Sequence, residues 1–82
     1  MEEKIILEIM EMLSQIENDY GIPRNIRLKI KSACEALETS DKCVSIRVDK
    51  SIQVLDDISD DPNIPVYART QIWNIVSKLE SI

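Results

Sequence analysis

The sequence predicts an all-α fold, an antiparallel four-helix up-and-down bundle made of two duplicated αα-hairpins, and three observations carry that prediction. The chain repeats itself after 42 residues, the step from Leu13 to Leu55; four segments place apolar residues at helical spacing; and an Ile-Pro dipeptide opens the second helix of each half. Composition agrees: 30% of the 82 residues are charged, one is Gly and none is Phe, which suits helices around an aliphatic core. A chain this short holds one core, so residues 1–82 read as one domain, with hairpin one at about 3–38 and hairpin two at about 41–80.

The repeat is ordered. Leu13, Ile16, Asp19, Ile22, Pro23, Arg27, Ile30, Leu37 and Glu38 recur as Leu55, Ile58, Asp61, Ile64, Pro65, Arg69, Ile72, Leu79 and Glu80. A period of that length makes each half one supersecondary unit.

In the first helix Ile5, Ile9, Met12 and Ile16 form a stripe that Ile6, Met10 and Leu13 widen, and Asn18, Asp19 and Gly21 end it. Pro23 lacks an N–H, so it fits the first position of the second helix, where Ile26, Ile30, Ala33 and Leu37 follow. Ile22, just before it, must be extended. The third segment is ambiguous, because Cys43 to Val48 alternates like a strand and is rich in β-branched residues. A lone strand has no partner, whereas Val44, Val48, Ile52, Leu55 and Ile58 make a helical stripe. A helix over about 41–59, capped by Ser40 or Asp41, is therefore preferred. Asp60 to Asn63 end it. Pro65 starts the fourth helix, whose stripe is Ala68, Ile72, Ile75, Leu79 and Ile82.

Four helices of about 16 residues, each near 24 Å, with short connections favour antiparallel neighbours in a closed bundle. The runner-up is a two-layer stack of hairpins of the HEAT or armadillo kind. An open solenoid of that kind needs about three repeats, which weighs against it.

Chemistry is limited by what the chain lacks. With no His and one Gly, the common acid-base and triad arrangements, the P-loop and the dinucleotide fingerprint are all absent, and no cofactor or metal is expected. Two Cys without His cannot close a structural zinc site; Cys34 and Cys43 read as free thiols over a disulfide. Asp56, Asp57, Asp60 and Asp61 lack the spaced loop of a calcium site and read as turn and surface residues. The start, Met1-Glu2-Glu3-Lys4, has no signal-peptide character, and no apolar run is long enough for a membrane, so a cytoplasmic location is expected. A net charge of −5 makes nucleic acid an unfavoured partner unless a local basic patch exists.

One such patch does exist: Arg24, Arg27 and Lys31 line one side of the second helix, with Lys29 nearby. It is a candidate surface for RNA phosphates or an acidic partner, against the plainer reading of a solvated face. Trp73 is a candidate partner anchor, against packing along the bundle edge under Arg69. Tyr20 and Tyr67 read as rim residues with rings partly covered. Asp19, Asp61, Pro23, Pro65 and Arg69 are candidate structural residues, the aspartates bonding the Arg27 and Arg69 side chains or the exposed helix N–H groups.

The segment Asp60-Asp61-Pro62-Asn63-Ile64-Pro65, followed by Ala68-Arg69 and Ile72 to Val76, resembles a family of similarly short archaeal proteins of unknown function. Ile22 to Arg27 and the ending Leu79 to Ile82 resemble it too. The resemblance implies an archaeal cytosolic protein with a four-helix-bundle fold, and it brings no catalytic residue. The function preferred from the residues is a non-enzymatic helical protein–protein interaction module, with homodimerisation through the first helix or around Trp73 as one form. The alternative is a nucleic-acid-associated accessory protein using the basic face of the second helix. An enzyme using Cys34 or Cys43 ranks third, since no base is at hand to activate a thiol.

Overall fold

In the computed structural model, which describes residues 2–39 and 41–82, four helices run in order: α1 Glu2–Glu17, α2 Arg24–Glu38, α3 Val44–Ser59 and α4 Val66–Glu80. Each helix packs on its sequence neighbours and α4 closes the ring on α1, while α1 does not meet α3 nor α2 meet α4 among the described residues. That ring is an up-down-up-down bundle, and it excludes the stacked-hairpin alternative, in which first would lie on first and second on second. The radius of gyration, 11.8 Å, equals the roughly 12 Å of a compact chain of this length.

The core is aliphatic and follows the sequence shift. Ile6, Ile9, Leu13, Ile16, Ile22, Ile26, Ile30, Ala33 and Leu37 are buried in the first half. Displaced by 42 residues they fall on Val48, Ser51, Leu55, Ile58, Ile64, Ala68, Ile72, Ile75 and Leu79, all buried too. The helix boundaries obey the same displacement, α1 onto α3 and α2 onto α4. Each fully buried Leu or Ile contributes about 1.5–3 kcal/mol.

The β-branched run is helical because Val44 and Val48, one turn apart, face the core cluster while Ile46 between them points to solvent. Packing outweighs the strand preference there. Two boundaries differ from expectation. The third helix begins at Val44, with Cys43 in the cap position and making no side-chain cap bond, while Asp41 lies in the preceding turn. The cap expected of Ser40 falls outside the described residues. Pro23 and Pro65 stand one residue before their helices, with ψ of 144° and 148°. Proline's fixed φ suits that extended residue equally, and its carbonyl accepts the first helical N–H groups: Arg27 N bonds Pro23 O at 3.1 Å, and Arg69 N bonds Pro65 O at 3.0 Å.

Ile9 in hairpin one is answered by Ser51 in hairpin two, whose hydroxyl is buried without a protein partner. An unmade bond of that kind costs about 1–3 kcal/mol. Ser51→Ala is therefore expected to raise stability by about 1 kcal/mol. The melting temperature of a domain this size then rises by roughly 4–8 °C. A thermal scan showing a lower midpoint would mean that the hydroxyl is satisfied in solution.

Candidate functional site

The α1–α2 and α3–α4 turns are built alike. Gly21 N–H donates to Asp19 Oδ1 and Asn63 N–H to Asp61 Oδ1, both at 2.9 Å, so each aspartate closes its own turn. Neither carboxylate meets an arginine side chain or a helix N–H as expected. Arg27 Nε instead donates to Ile22 O at 3.1 Å, and Arg69 Nη2 to Asp61 O at 3.3 Å, because both guanidiniums fold back over the turn before their helix. Within the turns, Asp19, Asp61 and Arg69 thus bond main-chain groups.

A second bond ties the hairpins together: Tyr67 Oη donates to Asp19 Oδ2 at 2.8 Å, from the first turn of α4 to the α1–α2 turn. Gly21 leaves room for it, since a Cβ there would come within 3.0 Å of that hydroxyl. The hydrogen bond to Asp19 raises the Tyr67 pKa above its ordinary value of about 10. A raised pKa means that the bond stabilises the fold fully below about pH 10 and is lost as pH climbs through the folded value. The difference in melting temperature between the parent chain and Tyr67→Phe should accordingly be steady at neutral pH and shrink under alkaline conditions. A difference independent of pH would show that the phenol does not bond Asp19.

Arg24, Arg27 and Lys31 do come together. With Glu17, Asn18, Tyr20 and Leu28 they line a hollow of about 240 Å³ at the turn end of the α1–α2 seam. The sequence names Arg24, Arg27, Lys31 and Lys29 for this face and predicts a partly covered Tyr20 ring. Tyr20 is 85% exposed, held by the Arg27 guanidinium 4.9 Å from its ring centre. Leu28, 54% exposed, stands between the cations. No acid is present from Tyr20 to Ala33, and α2 carries no acid in its first turn, so Arg24 and Arg27 stand where the helix dipole opposes them.

Trp73 is elsewhere. It lies on α4, which does not touch α2, and it is 57% exposed. Packing under Arg69 is overturned, because Arg69 reaches back to the Asp61 carbonyl and the cation–π contact found among the described residues is Arg27 over Tyr20. Trp73 follows Ile72 by about 100° around the helix, which takes it off the buried stripe.

Both cysteines are free. Burial, then Glu38, Glu17 and Glu35, push the Cys34 thiol up, whereas hydrogen bonds from Ser45 and the Ile46 N–H bring exposed Cys43 down. Among the described residues no group of Cys, Asp or Glu is placed to hold a metal ion, and no helix is long and apolar enough to cross a membrane. A further hollow, about 540 Å³ between the start of α3 and the end of α4, is lined by Val44, Val48, Ile52, Leu79 and Ile82, with Asp49 and Glu80 as its charged groups.

The model of an uncharacterised protein family, UPF0147, matches residues 1–82. A UPF0147 protein of Methanothermobacter thermautotrophicus is 45% identical over 74 residues, covering 90% of this chain and 72% of the relative. One of Archaeoglobus fulgidus is 44% identical over 82 residues, covering 100% and 93%. The crystal structure of a protein of unknown function superposes with a TM-score of 0.93 at 46% identity, over 95% of this chain and 89% of that one. A UPF0147 family protein from Thermoplasma acidophilum superposes with a TM-score of 0.92 at 28% identity, over 98% and 94%. Matched over residues 1–82 by the family model and over 90% or more of its length by these relatives, the chain belongs to the UPF0147 family, uncharacterised in function.

Proposed function

We propose that residues 1–82 act as one non-enzymatic helical protein–protein interaction module in the cytoplasm, docking through the turn end of the α1–α2 face. The observation that carries this reading is the exposure of Tyr20 and Leu28 beside Arg24, Arg27 and Lys31 around one hollow. Tyr and Arg are the residue types that dominate binding energy at interfaces, and an apolar side chain among them supplies the dry centre. The two hairpins descend, on this account, from one duplicated unit; the recurrence of helix ends, buried positions and turn bonds after 42 residues supports that descent. Hairpin two carries Val66, Thr70 and Trp73 where hairpin one has Arg24, Leu28 and Lys31, so the basic face belongs to one copy alone.

Replacing Leu28 by a photo-crosslinking phenylalanine analogue tests the face, with the same analogue at the matched position Thr70 as the control. Protein adducts from position 28 and none from position 70 are expected in a cell extract; no adduct at 28 contradicts the reading. The second reading, a nucleic-acid-associated accessory protein using the basic face of α2, is favoured by the Tyr20 ring beside three cations, a combination that accepts stacked bases. Nuclease-sensitive adducts at 28 would select it. Self-association around Trp73, with exposed Val66 seven residues earlier on α4, is a separate proposal that sedimentation at rising concentration checks.

A further inference from the structure

We infer that the occupant of the α1–α2 face is an acidic amphipathic helical segment of another protein, lying along the seam between the two helices; this rests on the docking face proposed above. Two hollows mark the seam. One is the basic hollow at the turn end, and the other, about 480 Å³, lies at the far end where Leu7 and Met10 of α1 face Leu37 of α2. Leu7 is 63% exposed, an apolar side chain that the bundle leaves uncovered. From Leu7 to Glu17 α1 rises about 15 Å, so a segment of about three helical turns spans both hollows. The described residues include no strand whose edge could accept an extended peptide, and apolar side chains spaced about three helical turns along a seam fit a helix laid in a groove.

Charge selects the chemistry of that helix. Arg24 and Lys31 are exposed and Arg27 lies half-buried over the turn between them, and among the described residues none of the three has an acidic partner within salt-bridge distance, so carboxylates complement them. Leu28 and Leu7 ask for aliphatic side chains between and beyond those carboxylates. A phosphate backbone fits less well: Glu17 stands in the basic hollow itself, and Glu3 and Glu38 line the far one, whose cation, Arg47, is already paired with Glu3, so a chain with a charge on every residue meets repulsion along the seam. A second copy of this chain, whose exposed acids include Glu8 and Glu11 on α1 and Asp56, Asp57 and Asp60 in hairpin two, is the other occupant, and the charge reversal distinguishes it.

The test uses three fluorescent probes and the whole chain. The first is a 14-residue amphipathic peptide of Glu, Leu and Ala with its glutamates grouped at one end. The second is the same peptide with Lys for Glu, and the third a 12-nucleotide oligouridylate. Anisotropy should show binding of the acidic peptide alone, weakened at least about tenfold, or about 1.4 kcal/mol, by Arg24→Glu with Lys31→Glu, and weakened also by Leu28→Ala. Arg24 and Lys31 are exposed, and an unchanged melting temperature confirms that the variant folds. Oligouridylate binding as tight as the peptide's, acidic-peptide binding indifferent to the charge reversal, or self-association abolished by it would each overturn the inference. The crosslinking from position 28 separates the two levels: a protein adduct through a segment lacking acids sinks this inference and leaves the interaction reading standing, whereas no adduct sinks both.

Discussion

Leu13→Ala and Leu55→Ala are each expected to destabilise the chain by about 2–5 kcal/mol, and by closely similar amounts. Both leucines are wholly buried, each on the inner face of the first helix of its hairpin, and each is the other displaced by 42 residues. Truncation removes the transfer energy of the lost methyl groups and leaves a cavity that rigid neighbours refill only in part. For a chain of 82 residues, whose total stability is about 4–12 kcal/mol, either change removes a large fraction. Urea denaturation read by circular dichroism checks both. A near-parent midpoint for one variant beside a large loss for the other would show that the two sites are not equivalent.

Arg47→Ala is expected to cost about 1.5–3 kcal/mol, far more than its place in an exposed first turn suggests. The Arg47 side chain, 10% exposed, crosses from α3 to the end of α2, where Nε donates to Leu37 O at 2.9 Å and Nη2 donates to the same carbonyl. Nη1 pairs with Glu3 of α1 at 3.1 Å, so one guanidinium joins three helices at the end opposite the Tyr67–Asp19 bond. The last turn of α2 has no basic residue of its own, and a cation among its free carbonyls complements the dipole. The Glu3 pair adds little, because Glu3 is largely solvent-exposed. Arg47→Lys should recover part of the loss, as an ammonium keeps the charge and loses the fork. If alanine costs only about 0.5 kcal/mol, as on an ordinary surface, the capping role is wrong.

Much of the fold is legible because helical periodicity survives in every segment. Ala68, Ile72, Ile75 and Leu79 recur at helical spacing and are all buried, and the run from Cys43 to Val48 resolves once Val44 and Val48 are counted one turn apart. Boundaries are less legible. Asp41 has a capping side chain, yet the chain is still turning there and Cys43 takes the cap position without a bond. Arg47 was missed because its partners lie 10 and 44 residues away. The available signal was a departure from the repeat, since the matching position in hairpin one is Ile5.

At the candidate site the cationic stripe was legible from helical spacing, but its aromatic member was not. Tyr20 lies in a turn, where no periodicity fixes the direction of a side chain, and only the fold of the α1–α2 turn brings it beside Arg27. Trp73 was misjudged for the opposite reason. Its place beside the apolar stripe suggested cover from Arg69, and cover depended on a guanidinium that the Asp61 carbonyl draws away.

Native-state hydrogen exchange, followed amide by amide through rising denaturant, tests the equivalence of the hairpins around their common core most directly. Amides of Leu13 and Ile30 should open with the same free energy as those of Leu55 and Ile72, all of them through global unfolding. Exchange of the α3 and α4 amides through a separate, cheaper opening, with α1 and α2 still protected, would contradict the account.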